Sequence, residues 1–190
     1  MGSLSEAELK QIVDEVVSRM MQSMPAQNQA RIREDFQASP PPGSNTVAIG
    51  ADHGGYPLKE TLKPFLKEKG YTVIDQGTDS TESVDYPDFA RAVAEQVSRG
   101  QAWRGIIIDG AGIGSCMAAN KVTGVRAAMC YDYATAFNSR EHNNANVLTL
   151  GAGLIGANLA RQIVTTFLET PFAGGRHERR VKKIMEIENL

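Results

Sequence analysis

Four short stretches gather side chains that could do chemistry. "GADHGG" puts Asp52 and His53 ahead of two glycines, and "IIIDGAGIGS" puts Asp109 between three isoleucines and alternating glycines at 110, 112 and 114. "SREHNN" groups Arg140, His142 and Asn143, while "GGRHERR" supplies Arg176, His177, Arg179 and Arg180. Alternating glycines at a helix start expose backbone N–H groups, which hold negative oxygen. Arginines four apart share a helix face and can grip phosphate with forked donors. A carboxylate at the mouth of an apolar strand carries a desolvation cost, which backbone N–H groups or a ligand must offset. A base beside an oxyanion nest is what proton abstraction next to a carbonyl requires. Together these residues point to a small phosphorylated ligand.

Each feature also has a plainer structural reading. Asp52 could cap the following helix, with His53 a surface histidine. Asp109 could be the N-cap of its own helix, and the arginines a solvated helix face. "GAGLIG", Gly151 to Gly156, formally matches the dinucleotide pattern G-x-G-x-x-G. That fingerprint needs an acidic residue at the end of the next strand; Glu169 lies near the distance but ends a helix, so nucleotide binding is not expected. The three histidines include no H-x-H or H-E-x-x-H pair, and neither cysteine has a C-x-x-C partner, so no metal and no cofactor are expected. A G-x-S-x-G elbow is absent.

Positioning these groups requires alternating elements. "TVAIGA", "YTVIDQG", "RGIIIDG", "GVRAAMC" and "NVLTLG" read as strands; helices are expected after Pro57, after Pro87, from Ile113, Tyr131 and Gly156, and over Arg176 to Ile187. Single helices between strands imply right-handed βαβ crossovers and a parallel sheet covered on both faces. In such sheets ligands sit beyond the carboxyl ends of the strands. Pro64 should kink or shorten the first helix.

Three regions follow. Residues 1–24 place Leu9, Ile12, Val13, Val16, Val17, Met20, Met21 and Met24 on one helical stripe, with a Ser5–Glu8 capping box. Residues 25–45, ending "ASPPPGSN", read as a flexible linker. Residues 46–190 form the α/β domain. Composition adds limits: 190 residues, 42% hydrophobic and a formal charge of −2 give no global signal for nucleic-acid binding. No run approaches the roughly 18 apolar residues of a membrane span, and the N-terminus lacks a secretory h-region. Cys116 and Cys130 read as reduced core residues of a cytoplasmic protein.

"GADHGG", "DYPDFA", "GAGIGSCMAANK", "GVRAAMC", "SREHNNANVLTLG" and "GGRHERRV" resemble, in order and spacing, the type B ribose-5-phosphate isomerase family, which includes galactose-6-phosphate isomerase subunits. The likeness covers Thr46 to Leu190. It implies a Rossmann-like three-layer sandwich with a five-stranded parallel sheet, a homodimer or dimer of dimers whose sites draw on both subunits, and metal-free interconversion of aldose and ketose phosphates through a cis-enediol. Ribose 5-phosphate with ribulose 5-phosphate is the default pair; a hexose or deoxy sugar phosphate, or binding without catalysis, are the alternatives.

By the same resemblance, Asp52, His53 and Tyr86 would line the sugar pocket. Gly110, Gly112 and Gly114, supported by Asn120, would form the anion hole. His142 would assist ring opening and Asn143 would bind a sugar hydroxyl. Arg176 and Arg180 would hold the phosphate, with Arg126 reaching across from the neighbouring subunit. Two departures stand out. Many members have cysteine as the base where this chain has Asp109, and others use a glutamate where it has Ser115; Thr or Ser is usual at Ala111. Asp109 is therefore the expected base, since burial beside the isoleucine strand should make a carboxylate more basic. The first 24 residues resemble the encapsulation peptides of bacterial microcompartments, which implies docking to shell or core proteins and a location inside such a compartment.

Overall fold

In the computed structural model the described residues are 45–189; the expected N-terminal helix and linker lie outside them, apart from Asn45. Five parallel strands, β1 (Thr46–Ala51), β2 (Thr72–Asp75), β3 (Arg104–Asp109), β4 (Ala127–Met129) and β5 (Val147–Gly151), form one sheet in the order β2-β1-β3-β5-β4. Between and after them come α1 (Tyr56–Glu68), α2 (Tyr86–Ser98), α3 (Ile113–Ala119), α4 (Tyr133–Glu141), α5 (Ala157–Glu169) and α6 (Arg176–Glu186), then a 3-10 turn at Ile187–Asn189. This is the Rossmann-like α/β sandwich that the alternating pattern requires. Among the described residues no helix is long and apolar enough to cross a membrane.

A central parallel strand is buried on both faces, so it must be apolar at successive positions. In β3, Ile106, Ile107 and Ile108 are all buried. Ile106 and Ile108 join the core built with Leu58, Leu62 and Leu66 of α1 and Ile163 and Phe167 of α5. Ile107 points the other way, onto Ala90, Val93 and Ala94 of α2 and Ala119 of α3. Small residues on α2 let that helix lie close to the sheet. Each fully buried isoleucine contributes about 1.5–3 kcal/mol of burial free energy, so the strand that ends at Asp109 is firmly held in the core.

Pro64 neither ends nor shortens α1, which runs 13 residues through it. The ring sits on the exposed side while Leu62 and Leu66 hold the buried face; packing of that face offsets the missing backbone hydrogen bond.

Candidate active site

The carboxyl ends of β1 and β3 bring Asp52 and Asp109 to one mouth. Asp109 is 4% exposed and Asp52 8%. The Asp109 carboxylate turns onto the glycine-rich turn that follows it. Its Oδ1 accepts from the Ala111 N–H at 2.8 Å and from the Gly112 N–H, and its Oδ2 accepts from the Ser115 N–H at 3.0 Å. These three donors fix the orientation of the carboxylate. A carboxylate has about four lone-pair sites, so one direction on Oδ2 remains for another partner.

The turn can close this way because Gly112 has φ 79° and its carbonyl accepts the Thr149 hydroxyl at 2.8 Å. Gly114 is needed for a different reason: a Cβ there would lie 2.5 Å from the Tyr86 ring. Tyr86, 40% exposed at the start of α2, therefore roofs the first turn of α3. Asp52 Oδ1 accepts from the Gly55 N–H at 2.9 Å, and His53 Nδ1 lies 3.2 Å from both backbone polar atoms of Val84. The loop leading to Tyr86 is thus tied to the end of β1. The Ser115 hydroxyl is buried beside the Asp109 carboxylate with no hydrogen-bond partner among the described residues.

Several expected site residues lie elsewhere. His142 and Asn143 follow α4 and precede β5, so they sit at the edge where strands begin. Asn138 Nδ2 lies 2.7 Å from His142 Nδ1, and Asn138 Oδ1 accepts from Asn143 Nδ2 at 3.2 Å; His142 Nε2 lies 3.0 Å from Glu141 Oε2. The Ala173 N–H donates to the Glu141 carbonyl, which brings the start of α6 to the same edge. There His177 stacks on His142, and Arg176 Nε donates to His177 Nε2 at 3.3 Å. Arg176 and Arg180 are exposed. A five-residue strand spans roughly 15 Å, so the Asp109 and His142 groups occupy opposite edges of one sheet.

Asn120 does not support the anion hole. It caps α3 at its far end, where its side-chain amide bonds both backbone polar atoms of Ala127 at the start of β4. Nor is the Gly112 N–H free for a ligand, because Asp109 holds it. Arg126 is half-buried at the strand-start edge; its guanidinium donates to the Asn144 carbonyl and to Met185 Sδ. Cys116 also points to that edge, 3.4 Å from the Ala127 carbonyl, and burial pushes the Cys130 thiol up to about 11. "GAGLIG" has a structural use: the Ala152 and Gly153 N–H groups donate to the Asp109 and Gly110 carbonyls, tying the loop after β5 to the nest.

Reading the sequence alone missed Thr149, Asn138 and Glu141. Thr149 is a polar residue inside an otherwise apolar strand, a signal that was available. Asn138 lies four residues before His142, one helical turn away.

Residues 47–184 match the Ribose/Galactose Isomerase family. The chain is 44% identical over 142 residues to ribose-5-phosphate isomerase B of Escherichia coli, covering 75% of this chain and 95% of that protein. It is also 44% identical over 140 residues to D-erythrulose-4-phosphate isomerase of Pectobacterium atrosepticum, covering 73% of this chain and 92% of that one. The structure of Clostridium thermocellum ribose-5-phosphate isomerase B is similar at a TM-score of 0.75 and 55% identity, across 76% of this chain and 97% of that one.

Proposed function

The chain belongs to the ribose/galactose isomerase family of sugar phosphate isomerases, and from that premise we propose that it interconverts ribose 5-phosphate and ribulose 5-phosphate with Asp109 as the base. One observation carries the reading. Asp109 is buried at the mouth of the central strand, with Oδ1 anchored by two amides and Oδ2 holding only the Ser115 N–H. An anchored carboxylate with one open lone pair is oriented for proton transfer without reorganising. Oδ2 takes the proton from C2 of the open-chain aldose, giving a cis-enediolate, and returns it to C1 while the O2 hydroxyl proton passes to O1, which gives the ketose. Tyr86 covers the sugar from above, while Asp52 and His53 bind its hydroxyls.

His142 opens the furanose ring, and Asn143 orients a hydroxyl. Arg176 and Arg180 hold the phosphate as a pair on one face of α6. Since these residues lie at the opposite edge from Asp109, the site is completed by a second copy of the chain. A homodimer is the smallest assembly that does so.

Asp109's own occupation of the nest favours a second reading, in which the pocket binds sugar phosphates and Asp109 serves only to brace the turn. A substrate panel separates the two. Ribose 5-phosphate, D-erythrulose 4-phosphate, galactose 6-phosphate and deoxyribose 5-phosphate are incubated in deuterated water. The isomerase reading expects ketose–aldose conversion with deuterium at the carbon next to the carbonyl. Binding of all four without conversion or exchange supports the second reading.

Residues 1–45 form the docking segment in this proposal: the 1–24 stripe binds a microcompartment core or shell protein, the linker tethers it, and 46–190 does the chemistry. Fused to a fluorescent reporter, residues 1–45 should direct it into compartments. A diffuse reporter would contradict this role.

A further inference from the structure

A cavity of about 400 Å³ opens where β1 and β3 begin, at the edge of the sheet opposite Asp109. That volume is within the range that holds small ligands. Arg104 and Arg126 line it together with Thr46, Gln101, Asn144 and Asn146, and no carboxylate is among its lining residues. Arg104 lies with its guanidinium 4.2 Å from the centre of the Trp103 ring and donates through Nη1 to the Trp103 carbonyl at 3.0 Å. Its Nε is buried and has no hydrogen-bond partner among the described residues.

Burying cations side by side is unfavourable without a counter-charge. Burial, followed by the neighbouring Arg140 and Arg126, lowers Arg104 to about 9, so it is still charged at neutral pH. Arg140 is already engaged with Thr170, Asn144 and Ala145. The one carboxylate acting on Arg126 is that of Glu188, which accepts from the Gly124 N–H at 3.0 Å and does not line the cavity. Two guanidiniums, those of Arg104 and Arg126, thus line a polar cavity that supplies no anion of its own.

We propose that this cavity is a second anion site, separate from the substrate site, which takes phosphate, free or as the ester of a small metabolite, through Arg104 and Arg126. The Arg104 Nε is a donor still without a partner among the described residues, and the planar guanidinium suits phosphate oxygen better than a point charge would. The Thr46 hydroxyl and the Gln101 amide lie on the same wall and complete a neutral rim.

Trp103 is the only tryptophan in the chain, so its emission reports on Arg104 directly. The full-length protein is titrated with inorganic phosphate and, separately, with ribose 5-phosphate, at constant ionic strength set by chloride. A saturable change in Trp103 emission is expected with at least one of them. Saturation by both marks the phosphate group itself as the ligand. Saturation by one alone identifies the free ion or the ester as its source. Arg104→Gln should weaken binding by about tenfold or more, as expected for losing a charged hydrogen bond, and Arg104→Lys should recover part of it. Arg176→Gln with Arg180→Gln should leave the change in place, because that pair belongs to the substrate site. Calorimetry on the same variants reads the site independently of the tryptophan. The proposal is overturned if neither phosphate saturates, if chloride at matched ionic strength gives the same change, or if Arg104→Gln binds as tightly as the wild type.

Discussion

The imidazole rings of His142 and His177 stack 4.2 Å apart and within 3° of parallel. The rings share one corner with Arg176, which donates to His177, and Glu141, which faces His142. Partial burial, then His142, Arg176 and Arg180, hold His177 below its ordinary value of 6.5, with Glu141 opposing. The folded state therefore prefers the neutral ring. Its contribution is complete above 6.5, begins to be lost as pH falls through 6.5, and is gone below the folded value. An NMR titration should place the His177 midpoint below 6.5, and replacing His142 with phenylalanine should move it upward. A wild-type midpoint at or above 6.5 would contradict the stacked, neutral arrangement.

Tyr86 and Gly114 define a contact with no spare room. A methyl group at 114 would meet the Tyr86 ring at 2.5–2.7 Å. Because Tyr86 is 40% exposed it can swing away, so Gly114→Ala should cost stability little, under about 1 kcal/mol. Catalysis should suffer more: with the roof displaced, kcat/KM should fall by about tenfold or more. Steady-state kinetics beside a urea melt tests the split. Equal damage to both would mean that Tyr86 supports the fold and not the substrate.

Lys59 illustrates a buried charge with a structural use. It is 1% exposed, and its ammonium lies 2.7 Å from Asp75 and 3.0 Å from Glu60. For Asp75, burial acts upward first, but Lys59, Lys63 and the Gly77 N–H outweigh it and hold the carboxyl below its usual value. Lys59→Met should cost about 2–4 kcal/mol by urea denaturation, less than a wholly uncompensated buried ion would, because Lys63 still pairs with Asp75. Loss of stability should also appear in the wild type as acid protonates Asp75, since a depressed carboxyl stabilises the fold only while ionised. A melt unchanged by Lys59→Met would refute the pairing.

The separation of Asp109 from Arg176 and Arg180 across the sheet makes a subunit-mixing experiment decisive for the shared site. Asp109→Asn and the Arg176→Gln, Arg180→Gln double variant should each be nearly inactive alone. After unfolding and refolding together, mixed dimers carry one site with both defects and one with neither, so activity should return. Absence of any recovery, with mixed dimers verified by mass, would place the whole site within one chain.

Much of this arrangement could be read beforehand. The run of isoleucines before Asp109 and the βαβ alternation marked the strands and the crossovers between them, because parallel-sheet burial leaves a direct mark on residue type. Which edge of the sheet each polar residue occupies followed only from the path of the chain: His142 precedes β5, whereas Asp109 ends β3. Side-chain direction was not legible. Nothing in "IDGAGIGS" tells whether the carboxylate faces a ligand or its own amides, and Asn120 looked like a neighbour of the nest although α3 carries it to the far edge. Arg104 drew no notice because a single arginine before an apolar run resembles a strand-edge charge; its cavity is formed by residues distant in sequence.

The most direct test of the catalytic assignment is turnover of Asp109→Asn beside Asp109→Cys, both checked for native circular dichroism, on ribose 5-phosphate and D-erythrulose 4-phosphate. Removing the base should lower kcat by about 10²–10⁴-fold in the asparagine variant, while the thiol, able to become an anion, should restore a measurable part of it. Wild-type turnover by Asp109→Asn on the accepted substrate would contradict the assignment and leave that carboxylate as a brace for the glycine turn.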